Sequence, residues 1–139
     1  ELGMGVFSTP YLPYACQNAG RQLTSYENDA SYADFFARYG YASEGHQIRV
    51  VTDWDQAEID RPWDVALIDH NPSQRRVVDI ERLANHARYI VIHDSEPKFD
   101  GLYHYSRIYP RFKYRAVYDR EWRHAAVLSN FVNLEGFWN

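Results

Sequence analysis

In Val65-Ala66-Leu67-Ile68-Asp69-His70, four consecutive apolar residues run directly into an acid. Tyr89-Ile90-Val91-Ile92-His93-Asp94 repeats this pattern farther along the chain. Continuous apolar runs are typical of strands that are buried on both faces of a parallel sheet. We therefore predict two central parallel strands, joined by a helix that Asn71-Pro72-Ser73 opens.

Strands and helices alternate on the amino-terminal side of this pair. Residues 1–3 read as the end of a truncated first strand, and Thr9-Pro10 predicts a helix start, with the helix running to Gly20. Residues 22–27 and 47–52 form the next strands, around an amphipathic helix that Gly40 ends.

Two further strands, residues 113–118 and 125–131, are joined tightly and predict an antiparallel hairpin. The pattern indicates an α/β fold, a Rossmann-like three-layer sandwich with a mostly parallel sheet and a C-terminal antiparallel hairpin. We expect a single domain over residues 1–139.

Composition and charge restrict the classes of partner. The 139 residues carry a net charge of -4, which argues against phosphate-backbone binding. We therefore expect a small-molecule substrate, with nucleic acid not favoured. The single Cys16 predicts a reducing, cytoplasmic compartment, and no apolar run is long enough to span a membrane. A start at Glu1 rather than Met indicates lost upstream residues, and the truncated strand leaves a sheet edge for homo-oligomer formation.

A glycine-rich turn follows the first strand and provides the first candidate site. Gly3 and Gly5 let a ligand approach the backbone closely, and Ser8 follows them. Glu27 ends the next strand 22 residues after Gly5, a spacing at which an acid can accept both hydroxyls of a ribose. Asn28 has capping of the next helix as a competing role.

Asp53-Trp54 ends the third strand and provides a polar acceptor beside an aromatic ring, which suits an adenine. The competing interpretation is a helix-capping Asp53 with Trp54 in the core.

Asp69-His70 and His93-Asp94 end adjacent predicted strands, so these four side chains should lie close together, with Glu96 as a fifth candidate. Three roles stay open for them: a structural hydrogen-bond network, general-base catalysis, and a divalent-metal site, of which the metal is the least favoured.

The segment Glu1-Leu2-Gly3-Met4-Gly5 resembles the glycine-rich first motif of class I S-adenosylmethionine-dependent methyltransferases. Glu27, Asp53 and Asp69 fall where later motifs of that family end strands two to four, and the final hairpin resembles the family's sixth and seventh strands. The segments around Asp69-His70-Asn71-Pro72 and His93-Asp94-Ser95-Glu96 are similar to those of a bacterial branch of methyltransferase-like proteins.

This resemblance implies S-adenosylmethionine as cofactor and methyl transfer to an oxygen or nitrogen of an unknown acceptor. Asp69 would border the transferred methyl group, and Asp69, His70, His93 or Asp94 would remove a proton. The residues that would contact the cofactor are Glu1, Gly3, Gly5, Ser8, Glu27, Asn28, Asp53 and Trp54. Two alternatives remain: a non-catalytic binding module with this fold, and a metal-dependent hydrolase built on the same two Asp-His pairs.

Overall fold

Residues 1–39 and 44–139 are described by the computed structural model. Their contacts divide into two units, Glu1–Ala57 and Glu58–Asn139, each of which is described by itself below. The single-domain organisation stays a prediction.

The first unit contains a two-stranded parallel sheet between short helices. Its elements are α1 (Leu12–Asn18), β1 (Leu23–Glu27), α2 (Ala30–Arg38), β2 (His46–Val50) and a 3₁₀ turn (Trp54–Gln56). Leu23 lies opposite His46 in the register, and Leu2 forms a parallel bridge to Tyr26 on the same sheet. Phe36 of α2 is fully buried, which anchors the helix by its apolar face.

The second unit contains a four-stranded mixed sheet. Its elements are β3 (Trp63–Ile68), a 3₁₀ turn (Ser73–Arg75), α3 (Arg76–Leu83), β4 (Ala87–His93), a 3₁₀ turn (Pro97–Phe99), α4 (Asp100–Tyr103), α5 (Tyr105–Ile108), a 3₁₀ turn (Tyr109–Arg111), β5 (Tyr114–Tyr118) and β6 (Ala125–Ser129). The strand order is β3-β4-β6-β5, with β3 and β4 parallel and the other pairs antiparallel. The predicted α/β fold, the parallel pair and the hairpin are confirmed.

The prediction that both apolar runs are buried on both faces is wrong for β3. Val65 is 55% exposed, although Ala66 and Ile68 are buried. Among the described residues β3 pairs with β4 alone, so it is an edge strand of this sheet rather than a central one. A continuous apolar run therefore does not guarantee two covered faces.

The predicted start of α1 is also wrong. The helix begins at Leu12, and the Thr9 hydroxyl instead accepts a hydrogen bond from the Gly5 amide at 2.8 Å. Phe35 of α2 and Tyr39, which follows the helix, are 42% and 68% exposed. The predicted stop of that helix at Gly40 lies outside the described residues.

None of the helices in the described part of the chain has the length and apolar character needed to cross a membrane. The cytoplasmic location stays a prediction.

Candidate functional site

The Glu1 carboxylate holds the glycine-rich turn in the first unit. Its Oε1 accepts hydrogen bonds from the hydroxyls of Ser8 at 2.7 Å and Thr9 at 3.0 Å, and its Oε2 accepts one from Ser25 at 2.6 Å. Glu1 is buried, so these three donors compensate its carboxylate for lost water. The structure thus gives Glu1 and Ser8 a role in shaping the turn, and their contact with the methionine part of a cofactor stays a prediction.

Gly3 is the position in the turn where a glycine is required. Its φ of 84° is a conformation that other residues rarely adopt, and its amide donates to the Tyr26 carbonyl at 2.9 Å. At Gly5, an added Cβ would approach the Ser8 hydroxyl to 3.3 Å, so a side chain there would press on the Glu1 network.

Glu27 joins the glycine-rich turn to the start of α2. Its Oε2 accepts from the Met4 amide at 2.8 Å, and its Oε1 accepts from the Asn28 and Asp29 amides at 2.8 and 2.9 Å. A carboxylate offers about four acceptor positions, so about one is left for a ribose hydroxyl. The bidentate ribose contact expected from the spacing therefore fits only in part.

Asp53 and Trp54, predicted at the end of the third strand, differ in exposure: the acid is exposed and the indole ring is buried. Asp53 caps the 3₁₀ turn by accepting from the Asp55 amide at 2.9 Å, and Trp54 is 4% exposed. Both observations agree with the competing interpretation of a cap and a core residue. Asn28 and Asp53 remain exposed polar side chains at the ends of β1 and β2, and their contacts with a cofactor stay predictions.

Asp69, His93 and Asp94 form a cluster at the carboxyl ends of β3 and β4 in the second unit. His93 Nδ1 lies 3.6 Å from Asp69 Oδ1 and 3.3 Å from Asp94 Oδ1, and the imidazole is 42% exposed. The Asp69 carboxylate raises the pKa of His93 above its ordinary value, with Asp94 adding to it, and burial opposes this only in part. The cluster is a half-exposed imidazole with its Nδ1 facing two carboxylates.

Two arginines neutralise these carboxylates. Arg76, which is buried, lies 2.9 Å from Asp69 Oδ1 and 3.8 Å from Asp94 Oδ2. Arg123 lies 2.7 Å from Asp94 Oδ1. One nitrogen or oxygen atom from each of Asp69, His93 and Asp94 lies within 4.8 Å of the others, which is close enough for one metal ion. However, the adjacent guanidinium groups oppose a divalent cation there.

His70 does not join this cluster. Its Nε2 lies 3.0 Å from Asp79 Oδ2, and Asp79 also binds Arg75 and Arg82 at 3.0 Å each. Burial lowers the pKa of His70 below its ordinary value despite the Asp79 contact, so the ring favours its neutral form. The structure places His70 in an ion-pair network around α3, and its catalytic role stays a prediction.

Three further residues, Tyr103, Arg76 and Arg123, surround the cluster. Tyr103 donates its hydroxyl to Asp94 Oδ2 at 2.8 Å, and its ring stacks on Tyr105 with centroids 5.2 Å apart. Arg76 lies 4.7 Å above the Tyr103 ring. The position of Arg123 two residues before β6 could have identified it, because antiparallel pairing of β4 and β6 sets Ala125 opposite His93.

Comparison with solved structures identifies the fold. The N-terminal domain of human METTL16 in complex with S-adenosylhomocysteine is 15% identical, with a TM-score of 0.58 over 94% of this chain and 61% of that one. The METTL16 methyltransferase domain in a second crystal form gives 15% identity and a TM-score of 0.60 over 94% and 59% of the two chains.

TrmK of M. capricolum, also with S-adenosylhomocysteine, is 13% identical, with a TM-score of 0.52 over 91% of this chain and 59% of TrmK. This chain therefore spans less than two thirds of the length of these structures. No protein-family model matches the chain, and no curated protein matches it. The fold is that of the class I methyltransferases, and the first METTL16 structure and the TrmK structure contain S-adenosylhomocysteine, the product of the cofactor expected from the resemblance.

The expectation of a small-molecule substrate, with nucleic acid not favoured, is contradicted. METTL16 and TrmK, which share this fold, are RNA methyltransferases. The expectation rested on the net charge of the entire chain, which averages over regions of opposite sign.

Proposed function

We propose that this chain transfers a methyl group from S-adenosylmethionine to a nitrogen of a nucleic-acid base. The observation that carries the proposal is the cluster at the carboxyl ends of β3 and β4, where His93 Nδ1 faces Asp69 and Asp94 at 3.6 and 3.3 Å. In open α/β sheets, ligands bind beyond this edge.

His93 is the proposed general base. A proton on Nδ1 faces the two carboxylates, which leaves the lone pair on Nε2 for a proton from the acceptor nitrogen. Asp69 and Asp94 stabilise the imidazolium that forms, in agreement with the raised pKa of His93. S-adenosylmethionine, when bound, supplies the electrophilic methyl group. The contribution of the chain is therefore to position the acceptor and to remove its proton.

The first unit would hold the cofactor. Glu27 retains about one acceptor position for a ribose hydroxyl, because three backbone amides fill the others. Asn28 and Asp53 are exposed at the ends of β1 and β2 and would add polar contacts. Gly3 and Gly5 would bring the backbone of the turn close to the methionine part.

A local concentration of positive charge supports a nucleic-acid acceptor. Residues 98–123, here called the basic segment, contain seven Lys and Arg against three Asp and Glu, a charge of +4 in a chain of net -4. Eight aromatic residues are interleaved with these charges.

Basic and aromatic side chains are paired within the segment. The Arg115 guanidinium lies 4.4 Å from the Tyr109 ring, and Arg123 lies 4.3 Å from the Trp122 ring, which is 73% exposed. Phosphates bind exposed cations such as Arg115, and unstacked bases stack on exposed rings such as Trp122, so the segment favours single-stranded nucleic acid.

The test is transfer of an isotopically labelled methyl group from S-adenosylmethionine to single-stranded RNA, followed by mass spectrometry of the digested nucleosides. We expect a labelled N-methyl nucleoside with the native chain and a reduction of roughly 10²- to 10⁴-fold for His93→Asn. The matched control is His86→Asn, at a histidine outside the cluster. Absence of labelled nucleoside with native protein that binds S-adenosylhomocysteine would contradict the proposed reaction.

A non-catalytic binding module is the second candidate, and one observation favours it. The carboxylates of Glu1 and Glu27 each accept three hydrogen bonds from this chain, so few acceptor positions are left for a cofactor. In that case RNA would bind without S-adenosylhomocysteine having any effect on its affinity. The hydrolase alternative is not proposed, because Arg76 and Arg123 bind the carboxylates that a catalytic metal would require.

A further inference from the structure

Buried polar atoms without hydrogen bonds are concentrated in one short segment. Among the described residues, six buried side-chain nitrogen or oxygen atoms have no hydrogen bond, and three of them belong to Ser95 and Glu96. They are Ser95 Oγ, Glu96 Oε1 and Glu96 Oε2. Most buried polar atoms in proteins are satisfied, so such a concentration indicates a missing hydrogen-bond partner.

Glu96 is the extreme member of this group. The residue is 4% exposed, and neither carboxylate oxygen has a hydrogen bond. Its nearest cation is Arg123 Nη1, 3.9 Å from Oε1, and that nitrogen lies 2.7 Å from Asp94 Oδ1. Arg123 is thus bound to Asp94 and only approaches Glu96. A buried carboxylate with such weak compensation is costly unless a ligand supplies donors.

The Glu96 side chain is not needed to hold its own loop. The Ser95 amide donates to the His124 carbonyl at 3.1 Å, and the Phe99 amide donates to the Glu96 carbonyl at 2.9 Å. Asp94 has a φ of 56°, an unusual conformation for a residue with a side chain. These backbone features fix the position of Glu96, three residues after the proposed base, as expected of a preorganised binding group.

The chemistry of the ligand follows from the chemistry of the carboxylate. An ionised carboxylate only accepts hydrogen bonds, so its two free oxygens match a ligand with two adjacent N–H donors. Guanine presents such a pair on its Watson–Crick edge, at N1 and at the 2-amino group. Adenine and cytosine present one amino group beside an acceptor nitrogen, which a carboxylate would repel. Enzymes that act on nucleobases commonly read this edge of an extruded base.

From this we infer that Glu96 recognises the acceptor base and selects a guanine-type edge. The inference rests on the proposed function, since it assumes a nucleobase at the Asp69-His93-Asp94 cluster. To the proposed function it adds the identity of the acceptor base and Glu96 as the residue that recognises it.

The test compares three single-stranded RNA heptamers that differ only at the central base, which is guanine, hypoxanthine or adenine. Hypoxanthine keeps the N1 donor of guanine and lacks the 2-amino group. Affinities are measured by fluorescence anisotropy in EDTA-containing buffer for the native chain, for Glu96→Gln, and for Glu121→Gln as a control at an exposed acid of the basic segment.

We expect the native chain to bind the guanine heptamer roughly 10-fold more tightly than the other two, the discrimination typical of a bidentate pair. Glu96→Gln should reduce this preference to less than about threefold, and Glu121→Gln should keep it. Equal binding of the three heptamers by the native chain would overturn the inference and leave the proposed function standing. Absence of binding to every heptamer would overturn both. The hypoxanthine comparison on native protein remains decisive if Glu96→Gln does not fold.

Discussion

Arg76 Nη2 lies 2.9 Å from Asp69 Oδ1, and the Arg76 side chain is 4% exposed. The same guanidinium donates through Nε to the His70 carbonyl at 2.7 Å and through Nη1 to the Tyr105 hydroxyl at 3.3 Å. One buried cation on α3 therefore fixes the end of β3 and the tyrosine pair that follows β4. The position of Asp69 in the cluster depends on this contact.

Replacing Arg76 by leucine should destabilise the second unit. The substitution removes the buried cation from Asp69, while Asp94 keeps its contact with Arg123, and breaking a buried ion pair typically costs about 3–5 kcal/mol. The measurement is the free energy of unfolding from urea titration. Arg107→Leu, at an exposed arginine of α5, is the control and should change it by roughly 0.5 kcal/mol or less. A similar small effect for Arg76→Leu would show that the contact is not stabilising.

The rate of methyl transfer should rise with pH through the pKa of His93, because only the neutral imidazole accepts a proton. This pKa lies above the ordinary histidine value of about 6.5. Asp69→Asn removes the main cause of the increase, so the midpoint of the profile should move to lower pH. Single-turnover rates between pH 5 and pH 9 provide the measurement. A midpoint that does not change in Asp69→Asn would exclude the Asp69–His93 pair as the group whose titration controls the rate.

His93 should also make stability depend on pH. Its pKa is raised in the folded state, so its stabilising contribution is complete below the unfolded value of about 6.5 and is lost as pH rises through the folded pKa. The difference in unfolding free energy between native protein and His93→Asn should therefore shrink with increasing pH in that window. His70, whose pKa is lowered, is present in both proteins and cancels in this difference. A difference that grows with pH would contradict the assignment.

Divalent cations should have no effect on this site. Arg76 and Arg123 bind two of the three groups in the cluster, so Mg²⁺ or Mn²⁺ would compete with two fixed positive charges. We expect the melting temperature and the transfer rate to be the same with EDTA as with millimolar metal. An increase in melting temperature that titrates with the metal, and that Asp69→Asn abolishes, would contradict this prediction.

RNA affinity should depend on salt through the basic segment. Lys113 and Arg115 are exposed there, and each phosphate contact that is lost reduces the slope of log affinity against log salt by about 1. Lys113→Gln and Arg115→Gln should each weaken binding similarly for all sequences. Arg88→Gln, at an exposed arginine of β4 outside the segment, is the control. Equal slopes for all four proteins would place the RNA elsewhere on the chain.

The sequence was informative where the pattern reflects burial along one strand. Ala66 and Ile68 of β3 and Ile90 and Ile92 of β4 are buried, and both runs end in the acids that form the cluster. The exposure of Val65 could not be predicted, because an apolar run does not encode what covers each face of the strand.

Contacts that depend on backbone donors or on distant strands could not be predicted from the sequence either. The three amides on Glu27 come from the turn and from the start of α2, and no side-chain pattern marks them. Arg123 reaches Asp94 because β6 pairs with β4. Net charge was misleading for a related reason, since a sum of -4 hides a segment of +4.

Titration calorimetry with S-adenosylhomocysteine measures whether the chain binds the cofactor product on which the proposed reaction depends. We predict one site of micromolar affinity on the native chain, and a loss of roughly 10-fold or more for Glu27→Gln. This substitution should keep the Asn28 and Asp29 contacts through its amide oxygen, while its amide NH2 group removes the acceptor of the Met4 amide and the acceptor left for ribose. Glu135→Gln, at an exposed glutamate, should bind like the native chain. A folded native protein that gives no binding heat at millimolar ligand would contradict the account.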